Sequence, residues 1–511
     1  MNRLQLLGLL LTALVPTPAL GQARLGTIHF PTSGSAVAQP HFIEGVLYLH
    51  SFEYRSAAQA FRKAQETDAG FAMAYWGEAM TYNHPIWNER DRSGALAALA
   101  RLASTREARR GKAPTEREKM YLDAVEVLYE DGPKPERDTA YAAAMERLVR
   151  AFPEDHEARL FYALSLQGLS QGVRSVPTYM RAAALAEEAF RDNPDHPGAA
   201  HYLIHSYDDP THAPLGLRAA RAYSRIAPDA PHAQHMTTHI FLAMGMWDEV
   251  VSQNRIAADL TDWGPGHYPS WHLYGLLQQG KHQVARAQLE RAKDLPANRP
   301  SGQRLAYLIG MRAHYVINTE RWDDPAISWT IDASGVGPVG QAIDAFVTGL
   351  AALNRGDRPA SQRALERLRA VPAEGTAGVV PRILTSELAG AMAVREGQVE
   401  RGLGLLLEAA RLEDGMPVEF GPPDVVKPTH ELLGEALLTL GRAQEAEREF
   451  RRALEMAPRR ALSLRGLGRA AASSGNRAAA ARAYELLREI WHSADGDVPG
   501  LDEARRFVAS R

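Results

Sequence analysis

Histidine is the residue of this sequence whose spacing carries chemistry. His201 and His205 form one i, i+4 pair, and His235 and His239 form a second pair 34 residues further on. Residues four apart share a helix face, so each pair would present two imidazoles side by side. Nine of the 18 histidines lie between His196 and His272, about a seventh of the 511 residues, so the pairing is not a uniform scatter. His201, His205, His235 and His239 are therefore candidate metal ligands, with His232 one turn before the second pair and His267 near the next unit. Neutral imidazole suits Zn, Cu, Ni or Fe, and Asp208 or Asp209 could add an oxygen ligand. The competing reading is structural: a helical histidine can pack on tyrosine, bond a carbonyl, or help a groove hold a polar ligand.

Other matches to chemical motifs fail on context. Gly168-Leu169-Ser170-Gln171-Gly172 fits G-x-S-x-G, but a helix rather than a strand leads into it. Gly275 to Lys281 approximates a phosphate loop, yet His282 stands where a metal-binding hydroxyl belongs. Gly335 to Gly340 fits G-x-G-x-x-G without the surrounding strand-helix-strand unit, and H-E-x-x-H is absent. No residue is assigned a catalytic role. Tyr75, Trp76, Tyr82 and Trp87 form an aromatic group that could line a ligand pocket, although helical arrays use such residues as core.

The elements that must position these residues are helices. Leu433-Gly434, Gly441, Ala446, Phe450 and Pro458 recur 34 residues later as Leu467-Gly468, Gly475, Ala480 and Tyr484, up to the closing proline. This is the tetratricopeptide (TPR) pattern, in which small residues let two antiparallel helices approach and an aromatic fills the gap. Gly45, Tyr48, Ala57, Phe61 and Ala64 repeat it near the start. Counting units from Pro197 and Pro231 puts both histidine pairs at positions 5 and 9 of their first helices. In arrays resembling this one those positions face the concave groove. No stretch alternates with period two, so the expected fold is all-α, a TPR-like α-solenoid of stacked helix pairs whose contacts run between neighbours and whose ends can fray.

Composition narrows the class further. Lys and Arg number 58 against 61 Asp and Glu, a formal charge of −3, which offers no broad footprint for nucleic acid. Zero cysteines exclude disulfides, thiolate metal sites and cysteine nucleophiles. Residues 1–21 read as a signal peptide, with Asn2-Arg3, an apolar run from Leu4 to Val15, and Ala19-Leu20-Gly21 before the cut. The expected product is exported, periplasmic or secreted, with no membrane span after cleavage.

The expected organisation is a signal peptide (1–21), N-terminal repeats with an aromatic loop at Asn83 to Glu89 (22–110), central degenerate repeats with a histidine-rich concave face (111–295), further degenerate repeats (296–414), a linker with Gly421-Pro422-Pro423 (415–426), and a C-terminal TPR pair with tail (427–511). FPTSGS (30–35), AMAYWGEAMTYNHPIW (72–87), HPGAAHYLIHSYDDP (196–210), HMTTHIF (235–241) and FGPPDVVKP (420–428) resemble a family of exported bacterial TPR proteins of undefined activity. The resemblance implies an α-solenoid over nearly the whole mature chain and carries no catalytic residue. Thr237 and Thr238 stand where the family motif has Pro and Ser, and both histidines of that motif are kept. The leading functional expectation is a groove that binds a protein, peptide or small ligand around a histidine-lined centre. The alternative is a metalloenzyme or metal-handling protein using the His201/His205/His235/His239 patch, with affinity fading below about pH 6 as free imidazoles protonate.

Overall fold

The computed structural model describes residues 23–510 except 170–173, 295–300, 334 and 419, so the signal-peptide reading and most of the G-x-S-x-G match lie outside the described residues. It is 72% helical, with 25 α-helices among the described residues. The one ladder there pairs Asn83–His84 with Glu89–Arg90, within the aromatic loop. The chain is an all-α, TPR-like helical repeat. No described helix is long and apolar enough to cross a membrane.

Each helix pair closes because glycine on one helix accepts an aromatic ring from the other. A Cβ at Gly45 would lie 2.6 Å from the Phe61 ring and one at Gly77 2.3 Å, so Phe61 is wedged between two helices that no larger residue would let approach. Phe450 does the same between Gly434 and Gly466. Pairs follow one another along the chain: Gln39–His50 with Tyr54–Thr67, Pro197–Tyr207 with Ala213–Ile226, Pro231–Ala243 with Trp247–Asp259, and Ala461–Ser473 with Arg477–Ile490. Proline at the first turn starts Pro197–Tyr207 and Pro231–Ala243, where its missing N–H is not needed. Thr115 caps Glu116–Leu128 by accepting from the Glu118 N–H, as the Thr-x-x-Glu pattern suggests, but the Glu118 carboxylate accepts from Ser33 N at 2.7 Å.

Contacts do not stop at neighbours, which corrects the expectation of freely fraying ends. At the N-terminal end, Arg24 pairs with Asp229 (2.8 Å), and the Tyr223 hydroxyl donates to Ser51 Oγ (3.2 Å). The C-terminal repeats return to the middle of the chain. Trp491 Nε1 donates to Gln278 O and Trp247 Nε1 to Arg459 O, each at 3.0 Å, and one apolar core joins Trp247 and Tyr274 to Leu464 and Trp491. The array is therefore fastened across more than 180 residues of sequence at several points.

The stretch 415–426, read from sequence as a linker, lies against the array. Val425, Val426 and Lys427 are buried, and Gly421, at φ +105°, passes so close to Trp271 that a Cβ there would sit 2.4 Å from the indole. Pro325–Ser328 forms a 3-10 turn packed on the helices, with Trp329 O accepting from the buried Arg312. Gly335 to Gly340 leads into the helix Pro338–Asn354, and Gly280 turns the chain at φ +70°.

The fastening at the C-terminal end is ionic and dry. Arg460 is bidentate to Glu431 (2.8 and 3.1 Å), donates to the Tyr274 hydroxyl (2.9 Å), and shares Glu431 with Lys427 (3.0 Å) and Ser463. Breaking a buried pair from one side costs about 3–5 kcal/mol, because the remaining charge stays buried. Arg460→Ala is expected to loosen the C-terminal repeats and open Gly415 to Pro428 to protease, while the parent protein resists cutting there. Equal digestion of the two proteins would show that the docking does not depend on this pair.

Candidate metal centre

Six histidines converge in the middle of the array as two sets of three. His201 and His205, on Pro197–Tyr207, meet His232 from the first turn of Pro231–Ala243. His235 and His239, on that second helix, meet His267 from the start of His267–Gln278. Within each set the candidate ligand atoms all lie within 4.8 Å of one another. Each set is thus one i, i+4 pair closed by a histidine of the next repeat. The sets adjoin: ring centroids are 6.1 Å apart for His205 and His239, and 6.2 Å for His232 and His235. His201 and His235 are fully buried, His205, His232 and His239 nearly so, and His267 is the solvent-exposed member.

Hydrogen bonds fix which nitrogen of three rings is free. His201 Nδ1 lies 2.6 Å from the His50 carbonyl, which can only accept, so Nδ1 carries the proton and Nε2 is a bare lone pair. His235 Nδ1 lies 2.7 Å from Asn254 Oδ1, and the Asn254 amide nitrogen donates to Thr238 Oγ1 and Val250 O, which fixes the amide's orientation. His239 Nδ1 lies 2.5 Å from the Asp208 carboxylate. His235 Nε2 and His239 Nε2 consequently face each other at 3.1 Å with no neutral-state proton between them, an arrangement that a cation relieves. In the other set, Nε2 of His201, His205 and His232 are all buried without a hydrogen-bond partner. Carbonyl or carboxylate behind Nδ1 and a free Nε2 in front is the arrangement of metal-ligating histidine.

Asp208 and Asp209, read from sequence as possible oxygen ligands, are committed elsewhere. Asp208 orients His239, and Asp209 is held by Arg174 (3.0 Å) and His212 (2.8 Å). They stand behind the ligands, and neither set contains a carboxylate.

An aromatic shell closes around the rings. Phe52 packs on His201 (4.3 Å), His205 (5.8 Å) and His232 (5.4 Å), and holds a left-handed backbone at φ +54°, costly for a bulky residue and maintained by the packing around it. Tyr223 stacks on His201, and Trp271 covers His235 and His239. Of the four aromatics singled out in the sequence, Trp87 alone reaches the centre, 5.9 Å from His232. Trp76 is buried among Phe30, Tyr121 and Phe161, Tyr75 donates to Ala69 O, and Tyr82 packs by Gly94 and accepts from Arg62. Sequence reasoning missed Phe52, Asn254 and Phe420. It also missed His50, Glu157 and His196, where Glu157 accepts from both rings (2.6 and 3.0 Å) and His50 Nδ1 meets the Tyr202 hydroxyl. That third group has its ring nitrogens partnered and serves as a clasp between helices.

Two cavities reach the second set. One of about 140 Å³ is lined by Asp208, His239, Trp247, Tyr274 and Phe420, and one of about 420 Å³ by His267, Trp271, Tyr307 and Phe420. Phe420, brought in by the 415–428 segment, stands between them.

With the site described, its relatives can be compared. The family described as BTAD, Bacterial transcriptional activator domain, matches residues 427–495, the C-terminal repeats alone. No curated protein matches the chain. Among solved structures, the human IFIT1 dimer with m7Gppp-AAAA is similar at 14% identity, over 91% of this chain and 92% of that one, with a TM-score of 0.36. Yeast Tom70 is similar at 12% identity, over 91% and 88%, with a TM-score of 0.30. These values carry no argument about ligands.

Burial sets the protonation of the centre. Loss of hydration pushes the His201 imidazole down to about 3, and it lowers His205, His232 and His235 well below the ordinary value, with neighbouring imidazoles adding to the effect. The unfolded chain takes up protons on these rings as pH falls through about 6.5, while the folded chain refuses them. Folded stability of the metal-free protein is therefore full above pH 6.5 and declines towards pH 3. His205→Leu removes one such ring and should lose less stability between pH 7 and 5 than the parent, read from urea midpoints. Identical losses would mean that His205 does not stay neutral in the folded state.

Proposed function

We propose that this chain is an exported helical-repeat protein that binds a transition metal through His201, His205 and His232, and through His235, His239 and His267. The observation that carries this reading is the set of bare, buried Nε2 lone pairs, three without partners and two facing each other. Leaving a buried polar atom unmet costs about 1–3 kcal/mol, so three in one place point to an absent partner. Three imidazoles per set leave a metal with an open position, the arrangement of metal sites that do chemistry rather than only hold a fold. That supports a metal-handling or catalytic role over capture of a peptide. The surface around the first set is already covered by Phe52 and Trp87, and the spaces beside the second suit a small molecule. Export rests on the apolar segment after Asn2-Arg3.

Elemental analysis and thermal unfolding test the proposal. Zn, Cu, Ni or Fe should raise the melting temperature of metal-stripped protein, and a ligand at a hundred times its Kd stabilises by about 2.7 kcal/mol. His205→Ala and His239→Ala should each weaken that stabilisation, and the double variant should abolish it. Because burial already keeps the rings neutral, affinity should persist well below pH 6, in contrast to an exposed histidine cluster. Protein that carries no metal, and whose melting temperature ignores all four ions at neutral pH, would overturn the proposal.

A further inference from the structure

The proposed metal binding leaves open how many ions the centre takes and which element it favours. The two sets are neighbours, sharing the borders His205 to His239 and His232 to His235. Both helices that carry the i, i+4 pairs contribute to that border, and Pro231–Ala243 supplies ligands to each set. Ions held about 2 Å from the ring nitrogens on either side would be close neighbours, as in two-metal sites where ions lie roughly 3.5–4 Å apart.

Charge decides between elements. Neither set includes a carboxylate, and Asp208 behind His239 is the single carboxylate hydrogen-bonded to any of the six rings. The surroundings of the first set are Phe52, Tyr223 and a backbone carbonyl. Two divalent ions at a given spacing repel four times as strongly as two monovalent ones, and nothing in the ligand sets bridges or neutralises them. A pair of monovalent ions faces a quarter of that repulsion. Among metals suited to imidazole, copper has an accessible +1 state, and three nitrogen ligands complete a coordination sphere it accepts.

Resting on the metal-binding reading above, we propose that the two histidine sets form one site for a pair of copper(I) ions, and that the small ligand admitted beside Phe420 is dioxygen. The apolar walls of the two cavities, with Trp247, Leu242 and Val425 in one and Met311, Val339 and Ile343 in the other, admit a small neutral molecule to His239 and His267. The electrons balance within the site. Each copper(I) gives one electron and becomes copper(II), dioxygen accepts both and is held as peroxide across the pair, its oxygen–oxygen bond stays intact, and no proton is consumed.

The test loads metal-stripped full-length protein with copper(I) under argon, and in parallel with zinc(II). Two copper(I) per chain are expected, with at most one zinc(II) held at comparable affinity. Admission of dioxygen should then produce an intense peroxide-to-copper absorption that the reduced protein lacks. His205→Ala and His239→Ala, checked for helicity by circular dichroism, should each bind fewer than two coppers and give no such band. One copper per parent chain, two zinc ions bound as tightly as two coppers, or two coppers without any optical response to dioxygen would each overturn the paired-copper inference and leave metal binding standing. Failure to bind any of these ions would remove the metal-binding reading itself.

Discussion

Three hydrogen bonds behind the imidazoles organise this molecule. The His50 carbonyl, the Asn254 amide oxygen and the Asp208 carboxylate each take the Nδ1 proton of one ring, and each comes from a different helix or its end. Holding Nδ1 in this way fixes the ring's tautomer and its rotation together. The consequence is that His201, His235 and His239 present Nε2 inward, where burial removes water as an alternative partner. Much else in the fold follows from supplying those acceptors. The first repeat must reach the central helices for the His50 carbonyl to meet His201, and the His50–Glu157–His196 clasp and the Tyr223 to Ser51 bond hold it there.

Ordinary repeat arrays rely on contacts between adjacent units, and their ends loosen first. Here both ends are returned to the middle. The N-terminal repeat carries Phe52 onto the first histidine set, and the segment before the C-terminal repeats carries Phe420 beside the second. The Arg460–Glu431 pair and the Trp491 contact with Gln278 hold that segment's downstream helices against the repeats bearing the site. Closure of the array and enclosure of the histidines are therefore the same packing problem. The left-handed Phe52 is where its cost is visible, since an aromatic residue adopts that conformation only under constraint.

The helical architecture was readable because its signal is local and repeated. Gly434 and Phe450 reappear as Gly468 and Tyr484, and the glycines prove to be the points where an aromatic ring meets the backbone of the facing helix. The i, i+4 pairs were readable for the same reason, since helix geometry alone puts two rings on one face. Their grouping was not. Sequence places His232 beside the second pair, on its own helix, whereas packing turns its ring towards His201, 5.1 Å away. The roles of Asp208, Asn254 and Phe52 were hidden because each acts across a tertiary contact, and no periodicity in one chain reports what a neighbouring helix brings. Trp76 shows the converse, for its position in an aromatic run suggested a pocket while its surroundings make it core.

Repetition also explains why there are two sets rather than one larger one. Each set takes a pair from positions 5 and 9 of one repeat and one ring from the first turn of the next repeat's leading helix, so translation by one repeat carries the first set onto the second. The operation stops at the following step. Thirty-four residues beyond His235 and His239 stand Pro269 and Leu273, which cannot ligate, and Leu273 belongs to the apolar core instead. One helix, Pro231–Ala243, therefore lies between both sets and gives His232 to one and His235 and His239 to the other. Any cation taken by either set acts on the same helix, which makes it the element through which occupancy of one set would be felt at the other.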